Sequence, residues 1–137
     1  MPFDGNAGRS APIRTPDASA ELPIEARIID EALTILGSNG EKWIQGSEAD
    51  SENNYCMIGA IELAQRRLNA KSDHTACLII NEIRRNHGFG EGPDVSIMDF
   101  NDEPGRSFEE VRETFLLAKC EAIICARRGF AGRCRYA

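Results

Sequence analysis

Only two histidines, His74 and His87, occur among the 137 residues, and no apolar run approaches the length that would cross a membrane. The amino end lacks the basic segment, apolar core and small-residue cleavage site of a secretory signal. A cytoplasmic protein without a membrane partner is expected. A serine nucleophile elbow and a metalloprotease helix are missing as well. Gly88-Phe89-Gly90-Glu91-Gly92 has the glycines of a phosphate loop, but it follows a predicted helix and runs into Pro93. A phosphate loop opens a helix after a strand instead.

The scarcity of histidine also restricts metal chemistry. His74 and His87 lie thirteen residues apart on one predicted helix. At ~100° per residue they differ by about 220° and cannot share a face. Cys120 and Cys125 lack the two further well-placed ligands that a structural zinc site needs, and the acidic run Ser47–Asn54 has no glycine at the turn of a calcium loop. No metal and no cofactor are expected. The five cysteines (Cys56, Cys77, Cys120, Cys125 and Cys134) are odd in number and sit mostly among apolar neighbours, which reads as reduced, buried thiols. Cys56, His74 and Asp102 could in principle supply nucleophile, base and acid, but nothing in the sequence brings them together.

What is present is an ordinary globular balance, with 42% hydrophobic and 28% charged residues and a net charge of -6. The charge is uneven. From Lys119 onward there are five basic residues and the single acid Glu121, so the preceding part carries a net charge of -10. An acidic body with a basic end can pair within the chain, with a second subunit or with an outside anion. Arg127, Arg128, Arg133 and Arg135 are the candidates for nucleic-acid contact, with Phe130 or Tyr136 as stacking partners. The same arginines also balance the acidic body and suit the carboxyl end of a helix.

Periodicity predicts an all-α domain over residues 21–127 with four principal helices. Residues 1–20, rich in Pro, Gly and Ser, cannot repay their ordering entropy alone. They read as mobile or as an arm exchanged in an oligomer. Residues 128–137 form a basic tail. The first helix is expected over Pro23–Leu36, ended by Gly37, and the second over about Cys56–Leu68, with Gly59 allowing another helix to approach closely. The third spans about His74–Asn86, with both histidines as satisfied surface residues. Glu41–Gly46 reads as a short strand or extended segment, and Val95–Met98 as a brief strand or a helical turn capped by Asp94. The last helix, from Phe108 to about Arg127, is apolar over so much of its circumference that it should be central in the bundle or buried by another subunit.

The most defined local signal is Asp99–Val111, a polar loop with a Pro104-Gly105 bend. It leads into Ser107 and Glu110, the spacing of a capping box. Two readings attach to Asn101, Asp102 and Arg106. In one, the Asn and Asp accept backbone N–H bonds in an Asx turn, and Arg106 pairs with an acid of the loop or of the first helix. In the other, the three line a polar notch beside Trp43, Gln45 and Cys56 that binds a small polar ligand or a peptide. The exposure of Arg106 discriminates between them.

Taken together, Trp43-Ile44-Gln45-Gly46, Cys56-Met57-Ile58-Gly59-Ala60 and Asn101-Asp102-Glu103-Pro104-Gly105-Arg106 resemble a family of small bacterial and phage proteins of unknown function. The resemblance covers about residues 25–125 and omits both tails. Phe100 stands where that pattern carries tryptophan, and Ser107 where it carries threonine. It implies a compact helical domain and no particular activity. The expected function is a self-associating, non-enzymatic interaction or assembly module. The alternatives are a ligand-binding or enzymatic domain using the Asn101/Asp102/Arg106 loop, and a nucleic-acid accessory protein using the tail.

Overall fold

In the computed structural model, residues 22–87 and 96–129 are described, and they form five helices: α1 (Ile24–Leu36), α2 (Met57–Leu68), α3 (Asp73–His87), α4 (Ile97–Asp102) and α5 (Phe108–Arg127). The all-α architecture agrees with the periodicity. Among the described residues there is no strand. The Trp43 segment meets Tyr55 only through isolated bridges, Trp43 to Tyr55 and Ala49 to Tyr55. No described helix is long and apolar enough to cross a membrane. The 1–20 arm and the tail beyond Gly129, including Arg133 and Arg135, lie outside the described residues.

The central helix is α1, not α5. Ala26, Ile28, Ile29, Ala32 and Leu36 are completely buried, and the helix packs against α2, α3 and α5. Its apolar residues recur at three- and four-residue intervals and cover more than one side, as three neighbours require. Pro23 is the residue before the first turn and Gly37 closes the helix at φ 92°, where a glycine carries no Cβ penalty. Around α1 the core is completed by Met57, Ala60 and Ala64 of α2, Leu78, Ile79 and Ile83 of α3, Phe100 of α4, and Val111, Phe115 and Ala118 of α5. Two ion pairs brace the outside, Lys119 to Asp30 at 2.9 Å and Arg67 to Glu31 at 3.0 Å.

The capping box of α5 is present. The Ser107 hydroxyl accepts from the Glu110 N–H at 3.2 Å, and the Glu110 carboxylate accepts from the Ser107 N–H at 3.1 Å. Several details depart from the sequence reading. Asp99–Asp102 belong to a short helix rather than a loop, and that helix is capped by Ser96, whose Oγ accepts from the Asp99 N–H at 3.1 Å. Asp94 and Val95 lie outside the described residues.

His74 is buried rather than on the surface, and neither ring nitrogen has a hydrogen-bond partner among the described residues. Helix α3 starts one residue before it, so His74 sits in the first turn facing inward, where Asp73 takes the exposed position. Nor are the cysteines uniformly buried thiols. Cys56 is buried, Cys125 half-buried and Cys120 exposed, whereas Cys77, half-buried on α3, is disulfide-bonded.

Candidate functional site

The residues singled out from the sequence do converge. Trp43, Gln45, Cys56, Asn101, Asp102 and Arg106 come together where the 40–56 segment crosses the carboxyl end of α4. Asn101 is the hub and is fully buried. Its Oδ1 accepts from the indole N–H of Trp43 at 2.7 Å and from the Met57 N–H at 3.0 Å. Its Nδ2 donates to the Ile44 carbonyl at 3.1 Å and to Asp102 Oδ1 at 2.9 Å. A side-chain amide has two acceptor sites and two donor hydrogens, so its capacity is filled. Met57 opens α2, and its N–H is one of the donors that a helix start leaves without an internal partner. Asn101 therefore caps α2 from a different element, 44 residues away.

The neighbours extend the clasp. Gln45 Nε2 donates to the carbonyls of Asn101 and Glu103, at 2.9 and 3.0 Å, satisfying the last turn of α4. Asp102 Oδ1 also accepts from the Gly46 N–H at 2.9 Å. Asn101 and Asp102 thus accept from a distant segment rather than forming a local Asx turn. The reason is that α4 persists through both residues and aims their side chains across at the 43–46 stretch. Cys56 is the residue preceding α2, with its sulfur accepting from the Gly59 N–H at 3.4 Å. Burial pushes its thiol above the usual value, and hydrogen bonds from the Gly59 and Ile58 backbone offset part of that rise.

Arg106 is folded inward, its side chain only 9% exposed. Its Nε donates to the Phe100 carbonyl at 2.9 Å, and Nη1 meets Glu110 at 3.2 Å, an acid of α5 rather than of α1. The guanidinium lies 3.8 Å from the centroid of the Phe100 ring, which also receives the His87 ring edge-on at 4.8 Å. Glu110 is held below its usual carboxylate value, chiefly by the Ser107 N–H and then by Arg106. Within the clasp, Asn101 has its whole side-chain hydrogen-bonding capacity in use. The surface depressions of about 480 and 200 Å³ lie along α2 instead.

Two glycines that the sequence left in other roles are part of this construction. A Cβ on Gly59 would run into the Glu48 carbonyl oxygen, so the close approach is by the 47–54 loop and not by another helix. A Cβ on Gly40, at φ 75°, would enter the Phe108 ring, which itself packs on Trp43 at 6.0 Å between centroids. The 47–54 loop is organised by Asp50, which accepts from the Glu52 and Asn54 N–H groups at 2.9 Å each. Among the described residues no three metal-ligating side chains cluster.

The last group of interest is on α5. Among the described residues, Leu116, Leu117 and Ile124 are the large hydrophobic residues left exposed, at 42%, 37% and 39%. A shallow groove of about 430 Å³ runs beside them between Glu109 and Cys120. Periodicity identified the excess of apolar surface but not which side of the helix would carry it. At the end of α5, Arg127 and Arg128 are both exposed.

A family model described as a family of unknown function (DUF6197) matches residues 23–119, and the chain belongs to that family. No curated protein and no solved structure matches the chain.

Proposed function

We propose, since membership of a family of unknown function assigns no activity, that this protein is a non-enzymatic interaction module that associates with itself through the outer face of α5. The observation that carries the proposal is the set Leu116, Leu117 and Ile124, three large apolar side chains on one helix with more than a third of their surface in water. Burying a leucine or isoleucine side chain is worth about 1.5–3 kcal/mol relative to exposure. A patch of three on a small domain is therefore a candidate contact surface. In this reading Asn101, Asp102 and Arg106 serve the fold, because each is hydrogen-bonded to the backbone of another residue of the chain. Arg127 and Arg128 serve the contact rather than a nucleic acid. The role that fits is an accessory component of a larger bacterial or phage assembly.

Sedimentation velocity on the full chain, over a concentration series reaching about a hundredfold, tests this directly. A sedimentation coefficient that rises with concentration is the expected result. A monomer throughout the series overturns the proposal.

A further inference from the structure

The exposed face of α5 has a charge order as well as an apolar content, and the two together define a partner. Glu113, Leu117, Cys120, Ile124 and Arg127 are all exposed and follow one another at alternating spacings of four and three residues. That is the spacing of a helix-pairing seam, drifting by only about 20° per seven residues on a straight helix. Glu113 and Arg127 stand seven residues to either side of Cys120, and Leu117 and Ile124 stand three and four residues to either side. Neither Glu113 nor Arg127 has a side-chain ion pair or hydrogen bond among the described residues, although other charges of α5 are engaged, Glu109 with Arg112 and Lys119 with Asp30.

We infer that α5 pairs antiparallel with α5 of a second copy about a two-fold axis beside Cys120. This rests on the self-association reading and adds orientation and register to it. In that arrangement Glu113 of each copy meets Arg127 of the other, and Leu117 meets Ile124, with Leu116 flanking. The acid-bearing amino end of each helix also lies beside the carboxyl end of its partner, where the helix dipoles favour the pair. A parallel arrangement would put Glu113 against Glu113 and Arg127 against Arg127. The like charges select the antiparallel form, and two-fold symmetry closes the assembly at two copies. The seam spans ~21 Å from Glu113 to Arg127, shorter than a standard-sized interface needs, so the dimer dissociates on dilution.

The test is charge exchange in the full chain, read by sedimentation velocity, with circular dichroism confirming that each variant is folded. Glu113→Arg alone and Arg127→Glu alone each weaken association roughly tenfold, because symmetry places the altered pair at both ends of the seam. The double variant Glu113→Arg/Arg127→Glu returns to within about threefold of the parent protein. Leu117→Glu removes the dimer. A short bismaleimide links two copies of the parent protein and of the Cys125→Ser variant, but not of Cys120→Ser.

A dimer indifferent to Leu117→Glu, or one in which the two reversals add rather than cancel, overturns the pairing while leaving self-association in place on another surface. A monomer at every concentration overturns both.

Discussion

Replacing Asn101 by alanine removes one side chain and leaves three groups on two other segments without their partners. The Met57 N–H loses its only acceptor in a buried position, the Trp43 indole N–H loses its 2.7 Å acceptor, and the Ile44 carbonyl loses its donor. A buried donor left unsatisfied costs about 1–3 kcal/mol. Trp43 and Ile44 are only half-buried, so water recovers part of their loss, and we assign about 0.5–1 kcal/mol to each. The expected destabilisation is about 2–5 kcal/mol out of the 5–15 kcal/mol typical of a domain. With a urea dependence of about 1.5 kcal/mol per molar, the midpoint falls by roughly 1.5–3 M.

The cycle with Trp43→Phe isolates the indole bond. That single change is expected to cost about 1 kcal/mol, and the double variant should be less destabilised than the sum by about 0.5–1.5 kcal/mol. Circular dichroism is the probe, because Trp43 is the sole tryptophan and its fluorescence disappears with it. A loss below about 1 kcal/mol for Asn101→Ala would show that the remote cap of α2 contributes little. Additivity within about 0.3 kcal/mol would remove the indole bond from the account.

Three further outcomes follow from the same region. Gly59→Ala forces a methyl group onto the Glu48 carbonyl, which is backbone and cannot turn aside, so the 47–54 loop is displaced. Thermal unfolding should register a loss of about 2 kcal/mol or more, and proteolysis should begin in that loop; unchanged stability refutes the contact. Because burial raises the Cys56 thiol, a disulfide reagent at mildly alkaline pH should consume Cys120 first and reach Cys56 at least ~100-fold more slowly, unless the chain is unfolded. Glu110 is depressed from its ordinary value of 4.5, so its contribution to stability is present above that value in the unfolded chain and is lost as pH falls through its lower folded value. Glu110→Gln should therefore be less stable than the parent near neutral pH, with the gap closing as falling pH protonates the folded carboxylate; a gap that does not change with pH would place its effect outside the carboxylate charge.

How much of this was legible in the sequence depends on the range of the interaction that decides each feature. Helices α1, α2 and α5 were set by local information, namely apolar recurrence, a terminating Gly37 and the Ser107/Glu110 box, and their bounds agree with expectation to within a residue. Helix α4 was missed as a helix because its six residues include Asp99, Asn101 and Asp102, which favour turns when judged alone. What keeps α4 helical through Asp102 is non-local, with Gln45 satisfying its last carbonyls and Phe100 filling the core. The candidate site shows the same division. Its six residues were identifiable as a group, but their partners are largely backbone atoms of Ile44, Gly46 and Met57, and backbone partners leave no trace in residue identity. The inward turn of His74 likewise depends on where α3 begins relative to α1, which periodicity does not fix.

The position of the family match bears on where function should be sought. The matched span runs from residue 23 to residue 119 and contains the whole clasp, from Trp43 through Asn101 to Arg106. Those residues bind the 40–56 segment, α4 and the start of α5 into one unit. The α5 seam is divided by the same boundary: Glu113, Leu116 and Leu117 fall inside it, and Cys120, Ile124 and Arg127 beyond it. An antiparallel pair uses both halves at once, since each acid needs the partner's arginine and each leucine the partner's isoleucine. The matched span therefore contains the whole clasp but only half of the pairing surface. A relative with the clasp intact and a polar residue at the position of Ile124 should fold as this chain does and remain monomeric in the same sedimentation series; a dimer formed by such a relative would mean that the seam is not what holds the two copies together.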